Sequence, residues 1–326
     1  MIDRNVSTVI DKELCIGCGL CVTVCPLDTI SMQNGKAVVT GNESLSCGHC
    51  AAVCPEGAIR VKAIDKSILT YNTFKEDERW LKHGDFDTPQ LVRLMRSRRS
   101  CRNYTEIPVE RKVLEDLVKI GITAPSGTNV QGWTFTILPS RGAVVFLANQ
   151  VARYFKELNN MAEKGHLRLL MKLTGNKELD FYYKNYYETV KETLSEWENS
   201  GRDRLFHGAT SAIIVGYKPG ATCPAEDALL ATQNILLGAH SLGLGSCLIG
   251  FAVSAIKRDP KIKLTVGIPA DEKVYAIIAL GWPDEKYFGL AGRKPAVMRY
   301  FERRETGSRA QGSVVRDWSA TRDQKQ

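Results

Sequence analysis

The chain of 326 residues is 44% apolar and 25% charged, the balance of a globular protein long enough for two ordinary domains. It has no apolar run of 18 residues, and residues 1–10 are charged with no apolar stretch, so no membrane span, no secretory leader and a cytoplasmic location are expected. Net charge is +8, with residues 1–60 at −2 (four basic, six acidic) and the rest at +10, yet no zinc-finger, RNA-binding or basic-zipper pattern accompanies it, so the excess is read as solvated surface and no nucleic acid partner is expected.

Seven of the ten cysteines fall between Cys15 and Cys54. Without a secretory signal, such clustering points to metal ligands rather than disulfides. Two segments repeat at an offset of 29 residues: Cys15-Ile-Gly-Cys18-Gly-Leu-Cys21-Val-Thr-Val-Cys25-Pro26 aligns with Ser44-Leu-Ser-Cys47-Gly-His-Cys50-Ala-Ala-Val-Cys54-Pro55. Ile30 and Ile59 match as well, each after a turn that contains proline. Two-residue gaps let one tight loop aim three thiolates at neighbouring irons of a cubane. Gly17, Gly19 and Gly48 let that backbone wrap without Cβ clashes. The fourth cysteine is expected to head a short helix that leads away.

The first segment resembles the C-x2-C-x2-C-x3-C-P run of bacterial two-cluster ferredoxins, whose fourth cysteine serves the other cluster. The resemblance implies a [4Fe–4S] cluster I on Cys15, Cys18, Cys21 and Cys54, and a cluster II on Cys25, Cys47, Cys50 and position 44. Position 44 departs from the pattern, because a serine stands there. Three outcomes stay open: ligation through the Ser44 oxygen, a [3Fe–4S] cluster, or an outside ligand. Zinc and an empty ferredoxin remnant are the competing readings, although zinc prefers paired C-x2-C hooks to a triple run closed by proline.

Residues 1–62 are therefore read as the iron–sulfur domain, and the mixed, charged residues 63–87 as a linker that wraps. Thr88 is expected to cap the next helix, with Pro89 at its first position and Leu91, Leu94 and Met95 on its apolar face. That helix runs into Arg96-Ser97-Arg98-Arg99-Ser100-Cys101-Arg102, a run of guanidiniums suited to phosphate oxygens, although such runs also face solvent. Helices are expected near 88–101, 108–121, 141–163, 178–200 and 224–242, and strands near 133–138, 210–217, 245–250 and 274–281. This is an α+β pattern.

The ordered set R-R-S-x-R (98–102), A-P-S-x-x-N-x-Q-x-W (124–133), L-G-L-G-S-C-L-I-G (242–250), Gly267-Ile-Pro, Ala276-Ile-Ile-Ala-Leu-Gly-Trp-Pro283 and Arg293-Lys294-Pro295 resembles the FMN-dependent nitroreductase family. The motifs fall in the family's order over nearly the whole second domain, read as 88–300. The resemblance implies an FMN-binding antiparallel sheet with helices, working as a homodimer. It places Arg98, Arg99, Ser100, Arg102 and Arg293 on the FMN phosphate and ribityl chain, and Pro125, Ser126, Asn129 and Gln131 on a flavin across the dimer interface. Leu248, Ile249 and Gly250 would lie against the flavin ring. Gly132 departs from the family, in which many relatives have proline before the tryptophan.

The implied function is an oxidoreductase that passes electrons from the clusters to FMN and on to an electron-poor small molecule: a nitro compound, quinone or enone. A ferredoxin-type protein is one candidate donor, and the donor and the direction of flow stay open. A non-catalytic redox carrier or sensor, and a dehalogenating or flavin-modifying enzyme, are the alternatives. No G-x-G-x-x-G follows a strand, so no Rossmann nicotinamide site is expected, and no side chain is assigned as catalytic. Residues 164–204 resemble the family's variable insertion. Phe181, Tyr182, Tyr183, Tyr186 and Tyr187 there suit either an aromatic lid or, by preference, packing. His166, His207 and His240 are read as structural or exposed, Cys101, Cys223 and Cys247 receive no role, and residues 301–326 are read as a polar tail.

Overall fold

In the computed structural model, which describes residues 3–301, the cysteine repeat folds into two small hairpin-like sheets and two single helical turns. These are β1 (Thr8–Ile10), α1 (Leu20–Thr23), β2 (Ile30–Gln33), β3 (Lys36–Val39), α2 (His49–Ala52) and β4 (Ile59–Val61). β1 pairs antiparallel with β4, and β2 with β3. Asn34 and Gly35, at φ 49° and 73°, make the two-residue turn that joins β2 to β3. Ile30 and Ile59, matched by the repeat, each open a strand and are buried side by side with Cys15, Cys21 and Cys50 in one small core.

The expectation that the fourth cysteine heads a helix is corrected. The helical turn precedes it: Gly19 and Gly48, at φ 75° and 76°, start α1 and α2, which carry Cys21 and Cys50. Pro26 and Pro55 follow Cys25 and Cys54 directly, and proline cannot continue a helix.

The segment after β4 holds one 3-10 turn, Lys66–Leu69. It is pinned to the next domain through Asp116, a fully buried carboxylate on α4 (Arg111–Gly121). Asp116 accepts the backbone N–H groups of Asn72 and Thr73 at 2.7–2.9 Å, as well as both of their side chains. Burial alone would push this carboxyl up, but those hydrogen bonds and Lys119 outweigh it and hold it below the usual range.

α3 spans Thr88–Ser97. Its cap is Asp87, not Thr88, because the Asp87 carboxylate accepts the Gln90 N–H and moves Pro89 one place inward. α4 starts at Arg111 rather than at Pro108, since Glu110 is extended. The remaining elements are β5 (Trp133–Leu138), α5 (Arg141–Ala162), α6 (Gly165–Leu173), α7 (Glu178–Asn185), α8 (Tyr187–Ser200), β6 (Ser211–Tyr217), α9 (Pro224–Ser241), β7 (Gly245–Leu248), α10 (Gly250–Arg258), α11 (Lys261–Leu264) and β8 (Lys273–Gly281). The helix expected over 178–200 breaks at Tyr186, which sits at φ −131°. The strand expected to reach 250 stops at Leu248, where α10 takes over.

β5, β6, β8 and β7 form, in that order, one antiparallel sheet. β6 is buried on both faces, so its sequence Ser-Ala-Ile-Ile-Val-Gly-Tyr is nearly continuous in apolar character. Ala212 and Ile214 face the layer of α5 and α10, and Ile213, Val215 and Tyr217 face that of α4 and α9. Each fully buried Ile or Leu of these two cores contributes about 1.5–3 kcal/mol. The α+β fold class thus holds for both parts of the chain.

A second compact unit begins at Lys286, and its described part, 286–301, has no helix or strand. Nearly all of the expected polar tail, 302–326, lies outside the described residues. Among the described residues no helix is long and apolar enough to cross a membrane.

Candidate functional site

The cysteines gather around two voids. Cys15, Cys18, Cys21 and Cys54 line the first, with Ala37, Ala58 and Ile59. The Ala37 N–H donates to Cys15 Sγ at 3.5 Å and the Ala58 N–H to Cys54 Sγ at 3.3 Å. The N–H groups of Ala37 and Gly17 hold the Cys15 thiol below its ordinary value, whereas burial pushes Cys21 up. Cys25, Cys47 and Cys50 line the second void, together with Ser44, Ser46 and His49. Burial pushes Cys25 up, but the Thr29 side chain and the N–H groups of Leu27, Thr29 and Ile30 outweigh it, so the thiol stays low.

Ser44 is buried, and its Oγ accepts the Ser46 N–H at 3.0 Å. His49 Nδ1 lies 3.0 Å from Cys47 Sγ. Among the described residues no three Cys, His, Asp or Glu side chains converge as a single metal ion requires. The thiols are spread around voids with amide hydrogens aimed at sulfur, a donor set that fits iron–sulfur clusters better than zinc.

A cavity of about 1150 Å³ opens at the end of β7. Cys247, Leu248, Ile249 and Gly250 line it. A Cβ built on Gly250 would meet no atom within 4 Å, so bare backbone faces open space there. Arg102 also lines the cavity and is exposed. Its position is set by two contacts of its neighbours: the Cys101 N–H donates to the Ser246 carbonyl at 3.0 Å, and Glu285 Oε1 accepts the Arg102 and Asn103 donors.

The loop after α8 supplies Arg204, Leu205 and His207 to the same cavity. Asp203 folds this loop by accepting the N–H groups of Leu205, Phe206 and Gly208 and pairing with Arg141 at 2.7 Å. His207, at φ 58°, therefore lines a cavity and is half-buried. Burial lowers its pKa, which favours the neutral ring. Nothing in the sequence around His207 signals this, because the neighbours that create the site come from other elements.

The aromatic stripe of the insertion divides by face, against the preference for packing alone. Tyr183 and Tyr187 meet with ring centroids 4.9 Å apart and planes tilted by 33°, at a small buried cluster. Phe181, Tyr182 and Tyr186 line the cavity with Tyr154, Phe155 and Phe251. Tyr182 is fixed by donating to Asn159 Oδ1 at 2.7 Å.

The other expected flavin residues are not in this cavity. Arg98 and Arg99 end α3 outside its lining, and Ser100 bridges to Ser246 beside it. Pro125, Ser126, Asn129 and Gln131 lie on a separate loop around a 3-10 turn, Gly127–Asn129. Asp227, buried at the start of α9, anchors that loop: Oδ1 accepts the Gly127 N–H at 2.9 Å and Oδ2 accepts the Tyr217 hydroxyl at 2.7 Å. Tyr217 in turn accepts the Gly132 N–H at 3.0 Å, and a Cβ on residue 132 would sit 2.6 Å from its ring. Glycine at 132 thus has a local cause. Arg293 belongs to the second unit, where its guanidinium bonds the Gly292 carbonyl.

A model of the nitroreductase family matches residues 95–282, more than half of the chain, and a model of a 4Fe-4S binding domain matches residues 8–31. The 4-nitrobenzoate reductase of a Nocardioides species is 24% identical over 208 residues, which cover 60% of this chain and 81% of that protein. Ferredoxin-2 of Desulfomicrobium norvegicum is 56% identical over 32 residues, 10% of this chain and 54% of that one. A crystal structure of a nitroreductase with bound FMN from Bacteroides fragilis superposes with a TM-score of 0.48 at 22% identity, over 65% of this chain and 99% of that one. The chain belongs to the nitroreductase family and carries a 4Fe-4S binding domain at its N-terminal end.

Proposed function

We propose that this protein is an FMN- and iron–sulfur-dependent oxidoreductase that works as a cytoplasmic homodimer and delivers electrons from its clusters, through FMN, to a flat, electron-poor small molecule such as a nitro compound, quinone or enone. The observation that carries this reading is the cavity: bare backbone at Gly250, the Leu248–Ile249 edge and Arg102 on one side, and the rings of Phe155, Phe181, Tyr182, Tyr186 and Phe251 around it. When bound, FMN supplies chemistry that accepts electrons singly and releases them as a hydride equivalent.

The chain's own residues do the rest. Gly250 lets a flat ring approach the backbone closely. Arg102 offers a guanidinium to the phosphate, and Arg98, Arg99, Ser100 and Arg293 are its proposed helpers. The aromatic walls exclude water and stack a planar acceptor. His207, half-buried and with its pKa lowered by burial, presents a ring nitrogen to whatever occupies the cavity. Pro125, Ser126 and Gln131 are absent from this chain's own cavity, and in the dimer they would serve the cavity of the second copy; Asn129 is absent from it too, and its amide is taken up by the Leu45 and Ser46 carbonyls.

Anaerobic titration of the purified protein with NADH, NADPH or reduced ferredoxin, followed in the visible spectrum, tests the direction of flow. Bleaching by reduced ferredoxin alone, of clusters and then flavin, is the expected result. Rapid reduction of the flavin by a nicotinamide while the clusters lag would reverse the proposed path, and a spectrum without flavin would remove it.

A further inference from the structure

One side chain ties the second cysteine void to the reductase domain. Asn129 Nδ2 donates to the carbonyls of Leu45 and Ser46, 84 and 83 residues away, at 3.0 and 3.1 Å. Both carbonyls belong to the loop between Ser44 and Cys47, the wall of the void that Cys25, Cys47 and Cys50 share. The Asn129 carboxamide is itself held: its Oδ1 accepts Gln131 Nε2 at 2.9 Å.

Both partners in this contact are strained. Thr128, Asn129 and Gln131 have φ of 49°, 56° and 50°, and Ser46 has 48°. Such backbone is unfavourable for residues other than glycine and persists only where its surroundings hold it. Here the holding groups are visible. Ser126 Oγ accepts the Gln131 N–H at 3.0 Å, and Asp227 and Tyr217 fasten Gly127 and Gly132 on either side. A rigid path of hydrogen bonds thus runs from the buried Asp227, through the 126–132 loop and the Asn129 amide, to the loop that carries Cys47. The two modules also meet through Asp116, but that contact grips the linker and not a cysteine loop. The first void has a different character: Cys18 on its wall is exposed, as are Leu14, Ile16 and Leu20 around it.

We infer that Asn129 is a positioning residue for electron transfer, and that it fixes the Cys47 loop against the reductase domain so that the second void is the exit of the iron–sulfur module and the first its entry. The inference rests on the flavin reading above. Each event moves one electron and makes or breaks no bond: an external one-electron donor of ferredoxin type is oxidised by one electron at the exposed end, and one electron crosses from the Cys47 loop into the reductase domain. Two events, with two protons from water, complete a two-electron reduction of the acceptor. Tunnelling decays exponentially with distance, so a loop free to swing would slow the crossing even with every cofactor in place.

The test uses the holoprotein and its Asn129→Ala and Asn129→Asp variants. Aspartate keeps the shape but removes the donor and turns an anion toward two carbonyls. Loss of the amide pair should raise hydrogen exchange at the backbone N–H groups of residues 45–48 by about tenfold in the alanine variant and by more in the aspartate one. Flash reduction with a deazaflavin donor then reads the internal equilibration between flavin and clusters as a first-order absorbance change. It should slow several-fold in both variants, with iron and flavin contents equal to wild type. Unchanged exchange together with an unchanged rate overturns the role of Asn129. Loss of flavin or of iron in the variants also overturns it, because Asn129 would then be serving cofactor retention. A wild-type protein that holds iron but no flavin sinks the functional reading itself, and cofactor analysis of the wild type separates that failure from the others.

Discussion

At the scale of single residues, the strongest commitments are buried carboxylates that accept backbone donors. Asp116 is fully buried and satisfied by Asn72 and Thr73, so replacing it removes charge-assisted bonds and strands their donors. Asp116→Asn should destabilise the protein by about 1–3 kcal/mol at neutral pH, measured by urea unfolding. The pH dependence follows from the depressed folded pKa. The stabilisation is fully present above the unfolded carboxyl value of about 3.9 and is lost as pH falls through the lower folded value. The gap between wild type and variant should therefore be constant near pH 7 and close below about pH 4; a gap that widens in acid would mean the carboxyl is raised, not lowered. Cysteine spacing was readable at this scale because ligand chemistry is written in local sequence. The roles of Asp116, Asp227 and His207 were not, since each depends on partners that only the fold brings near.

At the scale of elements, apolar patterning located the four strands of the large sheet to within one or two residues, because β6 and β8 are buried on both faces and their side chains leave little choice. The β2–β3 hairpin carries its own local signature in Asn34-Gly35, which the cysteine repeat overshadowed. α10 begins at Gly250, a residue that reads as a strand end or turn, and only packing of Ala252, Ala255 and Ile256 onto the core makes it helical. The break at Tyr186 likewise answers to tertiary demand, since it sends Tyr182 and Tyr186 toward the cavity and Tyr187 into its own cluster. The start of β5 offers a sharp test. Gly132→Ala places a methyl against a Tyr217 ring that is buried and bonded at its hydroxyl, so it should cost about 1–3 kcal/mol in thermal unfolding. Gly132→Pro should cost more, because it also removes the N–H that Tyr217 accepts. A neutral Gly132→Pro would show that the loop can adopt the relatives' shape.

At the scale of the molecule, the iron–sulfur module has a small core to which its own thiols contribute: Cys15, Cys21 and Cys50 are buried beside five aliphatic positions, Ile30, Ala37, Ala58, Ile59 and Val61. So small a core is marginal without its metal, and binding free energy becomes folding free energy. Removing iron under reducing conditions should lower the stability of residues 3–62 while leaving the 88–281 domain folded, seen as a new low-temperature step in a calorimetric scan. A single unchanged transition would show that the module is held by its neighbours instead. The cavity has a different constituency from the wiring. Its walls come from Arg102 and from 154–186, 204–207 and 247–258, and none of the residues of the 44–50 or 126–131 loops line it. On the proposed function, what is reduced and how electrons are supplied would therefore be inherited on separate stretches of chain. A lineage could exchange the first by rewriting the insertion and α10 while keeping the second intact, and relatives of this protein with the same Asn129 clamp should differ most around Phe181, Tyr186 and Phe251.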